Sequence, residues 1–355
     1  MRVVTVIGNR PQFVKAAAVS GPLRAEHEEL LVHTGQHYDE QLSTIFVEEL
    51  GVPPPEIELS LGGGTNTEQT ARMLAALGDL LREHAPDAVL VYGDTNSTLA
   101  GALAAAQARI PVAHVEAGMR SFDRAMPEEL NRVLTDHVAD LLLVPSRVAA
   151  DNLARESVAG EVQVVGDVMV DVARLLAPRA RADDGPLSDA GVTTGEYVLA
   201  TAHRAGTVDD PQRLQRLVEL LLSLELPVVL PLHPRTRARL HDAGLLDRLA
   251  EGTVLRPPLG YLAFTALLTH ARAVLTDSGG VQKEAYLAGV PCVTLRDGTE
   301  WVETVETGWN VLVDLDAAAA RAALARPAPA ERPELYGDGR AGARVAASMA
   351  RLLRA

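Results

Sequence analysis

Three carboxylates, three cations and a histidine in this chain stand where chemistry would need them. Asp94 follows the apolar run AVLVYG and Glu116 follows VAHV. Glu128 comes four residues before Arg132, so the two share one face of a helix opened by Pro127. Carboxylates gathered in one cleft shift one another's ionisation, which is how a protein obtains an acid and a base near neutrality. Arg10 sits where the first strand meets a helix started by Pro11, and Lys15 lies about one turn further on. Together they can neutralise phosphate charge, the arginine through two parallel hydrogen bonds.

The second half of the chain carries TDSGGVQKEA, from Thr276 to Ala285. A buried strand, ARAVLTD, turns through Ser278, Gly279 and Gly280 into a helix. Such a helix start leaves several backbone N–H groups aimed at one spot, and the helix dipole adds positive charge there, so the turn suits a phosphate. Glu284, one turn into the helix, can accept from both hydroxyls of a ribose. Phosphate and ribose recognition this close together suggest a nucleotide. Glycines for tight strand–helix packing would look the same in isolation, so the rest of the chain decides.

The elements that must hold these groups alternate along the whole sequence. The first half gives VVTVIG, LLVHTG, AVLVYGD, VAHVEAG, LLLVPS and VQVVGD as strands, the second YVLATAHR, PVVLPLHP, TVLRPP, AVLTDSGG, CVTLRD and NVLVDL. Helical stretches such as EQTARMLAALGDLLREH and TLAGALAAAQA lie between them. Near-continuous apolar strands separated by amphipathic helices mean parallel sheets covered on both faces. The α/β pattern therefore predicts two doubly wound domains, residues 1–167 and 168–340, with 180–191 as an exposed loop of the second. The Pro- and Ala-rich connector 326–334 leads to a final helix, 341–355, that packs back on the first domain. Polar residues mark the strand ends: Asn9-Arg10, Gln36-His37, Asp94-Thr95, Glu116, His203-Arg204, His233 and Asp277-Ser278. In open α/β sheets ligands bind at that edge, and two such sheets facing each other would bring these edges together across a cleft.

Composition narrows the class. The 355 residues are 47% hydrophobic and 23% charged, with a net charge of -14, which argues against a nucleic-acid or membrane-surface binder. Cys292, inside VPCVTL, is the one cysteine, so there is no disulfide framework or cysteine metal cluster. The chain begins directly on MRVVTVIG and has no membrane-spanning run, which points to the cytoplasm. Metal-ligand spacing, a Gly-x-Gly-x-x-Gly fingerprint, a Walker loop and a Gly-x-Ser-x-Gly elbow are all missing. The residues alone describe a two-domain α/β enzyme that grips a nucleotide diphosphate. A glycosyltransferase and a sugar-nucleotide-modifying enzyme fit equally well.

GNRPQFVKAAAV, TGQHYDEQLS, VYGDTNSTLAGALAA, HVEAGMRS, MPEELNR, LHPRT and TDSGGVQKEA, in this order and spacing, resemble the non-hydrolysing UDP-N-acetylglucosamine 2-epimerases. The resemblance runs from residue 1 to YGDGRA. It implies the GT-B architecture, two Rossmann-like domains with the active site between them, a homodimer, and no metal or redox cofactor. It also implies the reaction: UDP leaves C1 as the C2 proton is removed, a bound 2-acetamidoglucal forms, and UDP adds back with protonation on the other face of C2. By the same resemblance Asp94, Glu116 and Glu128 are the acid/base candidates. Lys15, Arg132 and His203, with Arg10 beside them, support the diphosphate or the departing oxygen. Ser278, Gly279 and Gly280 take phosphate and Glu284 takes ribose.

The chain also departs from that family. The loop after His203 reads Arg204-Ala205-Gly206-Thr207, without the family's Glu-Asn, and Thr299-Glu300-Trp301-Val302-Glu303 has lost an arginine. Gln36-His37-Tyr38-Asp39 stands where some bacterial members carry Gln-His-Arg beside an activator site. These changes leave open a different sugar, such as a 2,3-diacetamido uronic acid, or a hydrolysing relative that releases N-acetylmannosamine and UDP. A catalytically silent sugar-nucleotide sensor and a retaining glycosyltransferase are the competing classes. The three carboxylates argue against the sensor, and the segments around Glu116 and Glu128 argue against the transferase.

Overall fold

Each half of the chain builds one parallel sheet with its strands in the same order. The computed structural model describes residues 1–36 and 51–352. The chain divides into two units, Met1–Arg174 with Glu334–Ala355, and Leu175–Pro333. The division falls inside a helix, a few residues beyond the hinge that the sequence placed at 167, and the return crossing comes at 334.

The first unit holds β1 (Arg2–Ile7), β2 (Glu28–His33), β3 (Ile57–Glu58), β4 (Ala88–Tyr92), β5 (Val112–Val115), β6 (Leu141–Val144) and β7 (Glu161–Val164). They lie in the order β3-β2-β1-β4-β5-β6-β7. All six strands read from the first half of the sequence are present. The two-residue β3 was missed because it is too short to show a period. Helices α1 (Arg10–Glu26), α2 (Asn66–His84), α3 (Asn96–Gln107), α4 (Pro127–Val138), α5 (Arg147–Glu156) and α6 (Val168–Ala182) connect or follow them.

The second unit holds β8 (Val198–Thr201), β9 (Val228–Pro231), β10 (Val254–Arg256), β11 (Ala273–Thr276), β12 (Cys292–Thr294) and β13 (Asn310–Leu312), in the order β10-β9-β8-β11-β12-β13. Its helices are α7 (Gly185–Ala190), α8 (Ala205–Val208), α9 (Pro211–Leu222), α10 (Pro234–Asp242), α11 (Leu246–Gly252), α12 (Tyr261–His270), α13 (Gly279–Ala288), α14 (Val302–Glu306) and α15 (Ala317–Leu324). The expected loop at 180–191 contains α7. Pro186 suits the first turn of that helix, Gly191 closes it in the left-handed region, and Leu187 and Ala190 are buried. Helix propensity was hidden there by a run of loop-forming residue types.

All the strand pairs in both sheets are parallel. In each sheet the order reverses between the first and fourth strands, β1/β4 and β8/β11. A doubly wound sheet offers its crevice there, because helices on either side leave the strand ends uncovered. β4 is buried at all five positions and fixes the end from which Asp94 emerges.

The last helix, α16 (Ala341–Leu352), returns to the first unit and packs against α1. Gly342 is the contact point: a side chain there would sit on the backbone of Ala18, with Ala18 C only 2.7 Å from the added carbon. No helix among the described residues is long and apolar enough to cross a membrane.

Candidate active site

The first unit gathers its chemistry at the β1/β4 switch point. Asn9 caps α1 by accepting from Gln12 N at 3.2 Å, and Arg10 and Pro11 open the helix. Lys15 Nζ then makes a direct ion pair with Glu116 Oε2. Both side chains are 12% exposed, so the pair is held largely out of water while its edge stays reachable. Glu116 has a left-handed backbone, φ +69°, and Gly93 beside it has φ +63°. A side chain on Gly93 would come within 3.0 Å of Lys15 Nζ and 3.3 Å of Glu116 Oε2, so the bare glycine makes the room. A non-glycine residue in that region costs free energy and persists only where the surroundings enforce it, which is common at functional sites.

A second pair lies one residue further on. Arg132, on α4, binds the Asp94 carboxylate through Nη2 and Glu129 Oε2 through Nη1 at 3.2 Å. The sequence put Glu128 and Arg132 on one face, but Arg132 is 5% exposed while Glu128 is exposed. The partner is Glu129, one position on. α4 turns its polar residues inward, with Glu129, Asn131, Arg132, Thr135 and Asp136 buried and Leu130 and Leu134 exposed. Glu129 also accepts from Ser121 N at 2.9 Å, Ser121 Oγ at 3.0 Å and Phe122 N at 3.0 Å, which fastens the loop leading into α4.

The second unit repeats the arrangement at β8/β11. Asp277, fully buried, accepts from His203 N at 3.0 Å and Arg204 N at 2.9 Å, tying the end of β8 to the end of β11. His203 keeps 40% of its side chain exposed and stacks on His233 with ring centroids 5.3 Å apart. Ser278 caps α13 without a hydrogen bond between its hydroxyl and the helix. Gly279 is buried, Gly280 is exposed, and Glu284 is half-buried along the same helix. The Glu300 carboxylate lies directly against the Cα of Gly279, held by Arg296 at 3.0 Å and facing Arg204 at 3.7 Å. The segment that differs at Trp301 thus keeps a carboxylate at the helix start.

With both clusters described, their relatives can be placed. A family model described as UDP-N-acetylglucosamine 2-epimerase matches residues 23–350. The chain belongs to this family. A Pseudomonas aeruginosa protein named UDP-2,3-diacetamido-2,3-dideoxy-D-glucuronate 2-epimerase is 48% identical, covering 99% of this chain and all of its own length. The Escherichia coli K12 UDP-N-acetylglucosamine 2-epimerase is 33% identical over 89% of this chain and 87% of its own. Among solved structures, Methanocaldococcus jannaschii UDP-GlcNAc 2-epimerase in complex with UDP-GlcNAc and UDP matches with a TM-score of 0.92 and 39% identity, covering 99% of this chain and all of the other. The two Rossmann-like sheets are therefore those of the GT-B fold class.

Most of the residues singled out from the sequence fall into the two clusters of this epimerase chain. Lys15, Asp94, Glu116 and Arg132 form the first, and His203, Ser278, Gly279, Gly280 and Glu284 line the second. Glu128 is exposed on α4, and Arg10 opens α1. His37, Tyr38 and Asp39 lie outside the described residues. Sequence reasoning passed over Glu129, His114 and Asp136, whose burial gives them their importance. A buried charge looks like any surface charge until the inverted face of α4 is seen. Asp277 was visible as a strand-end residue, but its role as a backbone tie was not.

Proposed function

We propose that this chain is a non-hydrolysing epimerase that interconverts UDP-N-acetylglucosamine and UDP-N-acetylmannosamine. The observation that carries the reading is the pair of charge-matched couples, Lys15–Glu116 and Asp94–Arg132, at the switch point of a family member's first sheet. Proton transfer at C2 needs carboxylates, and departure of UDP needs cations that stabilise charge as it develops. Asp94, Glu116 and Glu128 are the acid/base groups in this reading. Lys15, Arg10, Arg132 and His203 meet the diphosphate or the leaving oxygen. Ser278, Gly279 and Gly280 hold phosphate at the start of α13, and Glu284 takes the ribose hydroxyls. The C2–H pair flows toward C1 as the C1–O bond breaks, leaving the glycal and UDP, and re-addition delivers a proton to the opposite face.

A second reading changes only the sugar. The 48% identity to the P. aeruginosa enzyme over its whole length favours a UDP-linked 2,3-diacetamido uronic acid. The C2 chemistry is the same in both. We also assign the chain to the cytoplasm, where UDP-sugars are made, and read it as a homodimer in which exposed Leu130 and Leu134 on α4 contribute apolar surface.

Proton NMR in deuterated water tests both sugars. Growth of UDP-N-acetylmannosamine signals with deuterium at C2 supports the first reading, and exchange restricted to the uronic acid supports the second. Free N-acetylmannosamine with UDP would replace both with hydrolysis. No exchange on either sugar would overturn the epimerase assignment.

A further inference from the structure

Three successive carbonyls at the end of β4 each take a side-chain donor from a different part of the first unit. Tyr92 O accepts from Gln12 Nε2 at 2.7 Å and Thr98 Oγ1 at 2.6 Å. Gly93 O accepts from His114 Nε2 at 2.7 Å, and Asp94 O accepts from Asn131 Nδ2 at 3.1 Å. This strand end carries Gly93, under the Lys15–Glu116 pair, and Asp94, on Arg132.

His114 is the tie that reaches furthest. It is fully buried on β5, and its other nitrogen, Nδ1, lies 2.7 Å from Asp136 Oδ1. A carbonyl only accepts, so Nε2 carries hydrogen. Burial pushes the Asp136 carboxyl up, but His114 and Arg120 outweigh it and hold the group below the usual carboxylate range. Its Oδ1 shares a hydrogen bond with His114 Nδ1. The second oxygen of Asp136 accepts from Arg120 Nη1 at 2.7 Å and from Gly118 N at 3.1 Å. Arg120 in turn reaches Glu156 on α5 through two bonds of 2.7 Å. One buried chain of charges therefore connects the turn at Gly93-Asp94 to the turn at Glu116–Gly118, and Gly93, Glu116 and Gly118 all have positive φ.

We propose that His114 is a positioning residue for proton transfer at C2, holding the turns that carry Asp94 and Glu116 in fixed register through Gly93 and Asp136. His114 touches no reacting atom in this reading, which rests on the epimerase assignment above. Pre-set geometry of this kind matters because a small displacement of a proton-transfer group is costly in rate while leaving remote binding contacts intact.

The test uses the full-length chain and three variants, His114→Gln, Asp136→Asn and the double variant. His114→Gln should lower kcat by about 10- to 100-fold while KM and the Kd for UDP stay within about twofold. In the double variant Gln can donate to Gly93 O and accept from Asn, whose oxygen still serves Gly118, so part of the lost kcat should return. Unchanged kcat in His114→Gln, or KM and the Kd for UDP rising as steeply as kcat falls, would overturn the proposal. Should His114→Gln fail to fold, Asp136→Asn alone must show the same split between kcat and KM. Side-chain NMR of the unmodified protein gives a readout independent of turnover: a slowly exchanging imidazole Nε2–H proton from His114. Its absence removes the tie to Gly93 and with it the proposal. Its presence with no C2 exchange on any UDP-sugar would instead bring down the epimerase reading, and the positioning role with it.

Discussion

Lys15 on α1 and Glu116 after β5 meet in a direct ion pair across 101 residues of sequence, with no side chain on Gly93 to separate them. Changing either group removes the charge that faces the other in a partly dry setting. Glu116→Gln should lower turnover by about 10²- to 10⁴-fold, the usual worth of a general acid or base. Lys15→Met should cost a similar factor, since it removes the cation that the Glu116 carboxylate meets directly. The double variant should be little worse than either single one, because groups acting as a unit are not additive. Losses that multiply in steady-state assays would show two independent roles.

Glu129 and Glu128 are neighbours with opposite fates. Glu129 is buried with Arg132 and three donors from Ser121 and Phe122, whereas Glu128 is exposed. Glu129→Ala takes one of two carboxylates from buried Arg132 and the acceptor from Ser121 and Phe122, so it should cost about 3 kcal/mol in urea unfolding. Glu128→Gln should change stability by less than about 0.5 kcal/mol and still abolish most turnover. A stable Glu129→Ala, or a fully active Glu128→Gln, would contradict this division.

The sheets were legible because parallel strands buried on both faces read as continuous apolar runs, and twelve of them stood out between helical stretches. Glycines and prolines marked where α1, α4 and α13 begin. Strand-end polar residues then predicted the clusters, since topology forces such residues toward the switch point. What escaped was anything decided by burial. Arg132 has carboxylates both three and four residues before it, and helical spacing does not choose between Glu129 and Glu128. Packing of α4 against the sheet makes that choice. The His114–Asp136–Arg120 chain was equally hidden, because its members come from a strand, a helix and a loop. α7 escaped for a different reason: six residues are too few to show helical periodicity.

The return of α16 to α1 makes a prediction about stability alone. Gly342 lets the two helices approach until an added methyl would overlap the backbone of Ala18, which cannot rotate away as a side chain would. Gly342→Ala should therefore cost about 1–3 kcal/mol, the range for overpacking a tight contact. Gly78, on α2, has open space around its Cα and provides the control. Gly78→Ala should be neutral or stabilising by up to about 1 kcal/mol, through helix propensity. Equal effects of the two substitutions in denaturant titrations would mean that α16 is not tightly seated.

Cys292 lies at the start of β12, where burial pushes its thiol from 9.0 up to about 12. The thiolate is the reactive species, so the native protein should react with a disulfide reagent at pH 8 far more slowly than the unfolded chain. The same shift affects stability in alkali. The folded state keeps its proton while the unfolded thiol loses one above 9.0, so stability associated with this group is present below pH 9 and declines as pH rises toward 12. Cys292→Ala lacks that component. Its stability relative to the unmodified chain should therefore improve across that window, read from urea midpoints at matched pH. Rapid labelling of the native protein at pH 8, or parallel pH profiles for the two proteins, would show that Cys292 is reached by solvent through local opening around β12.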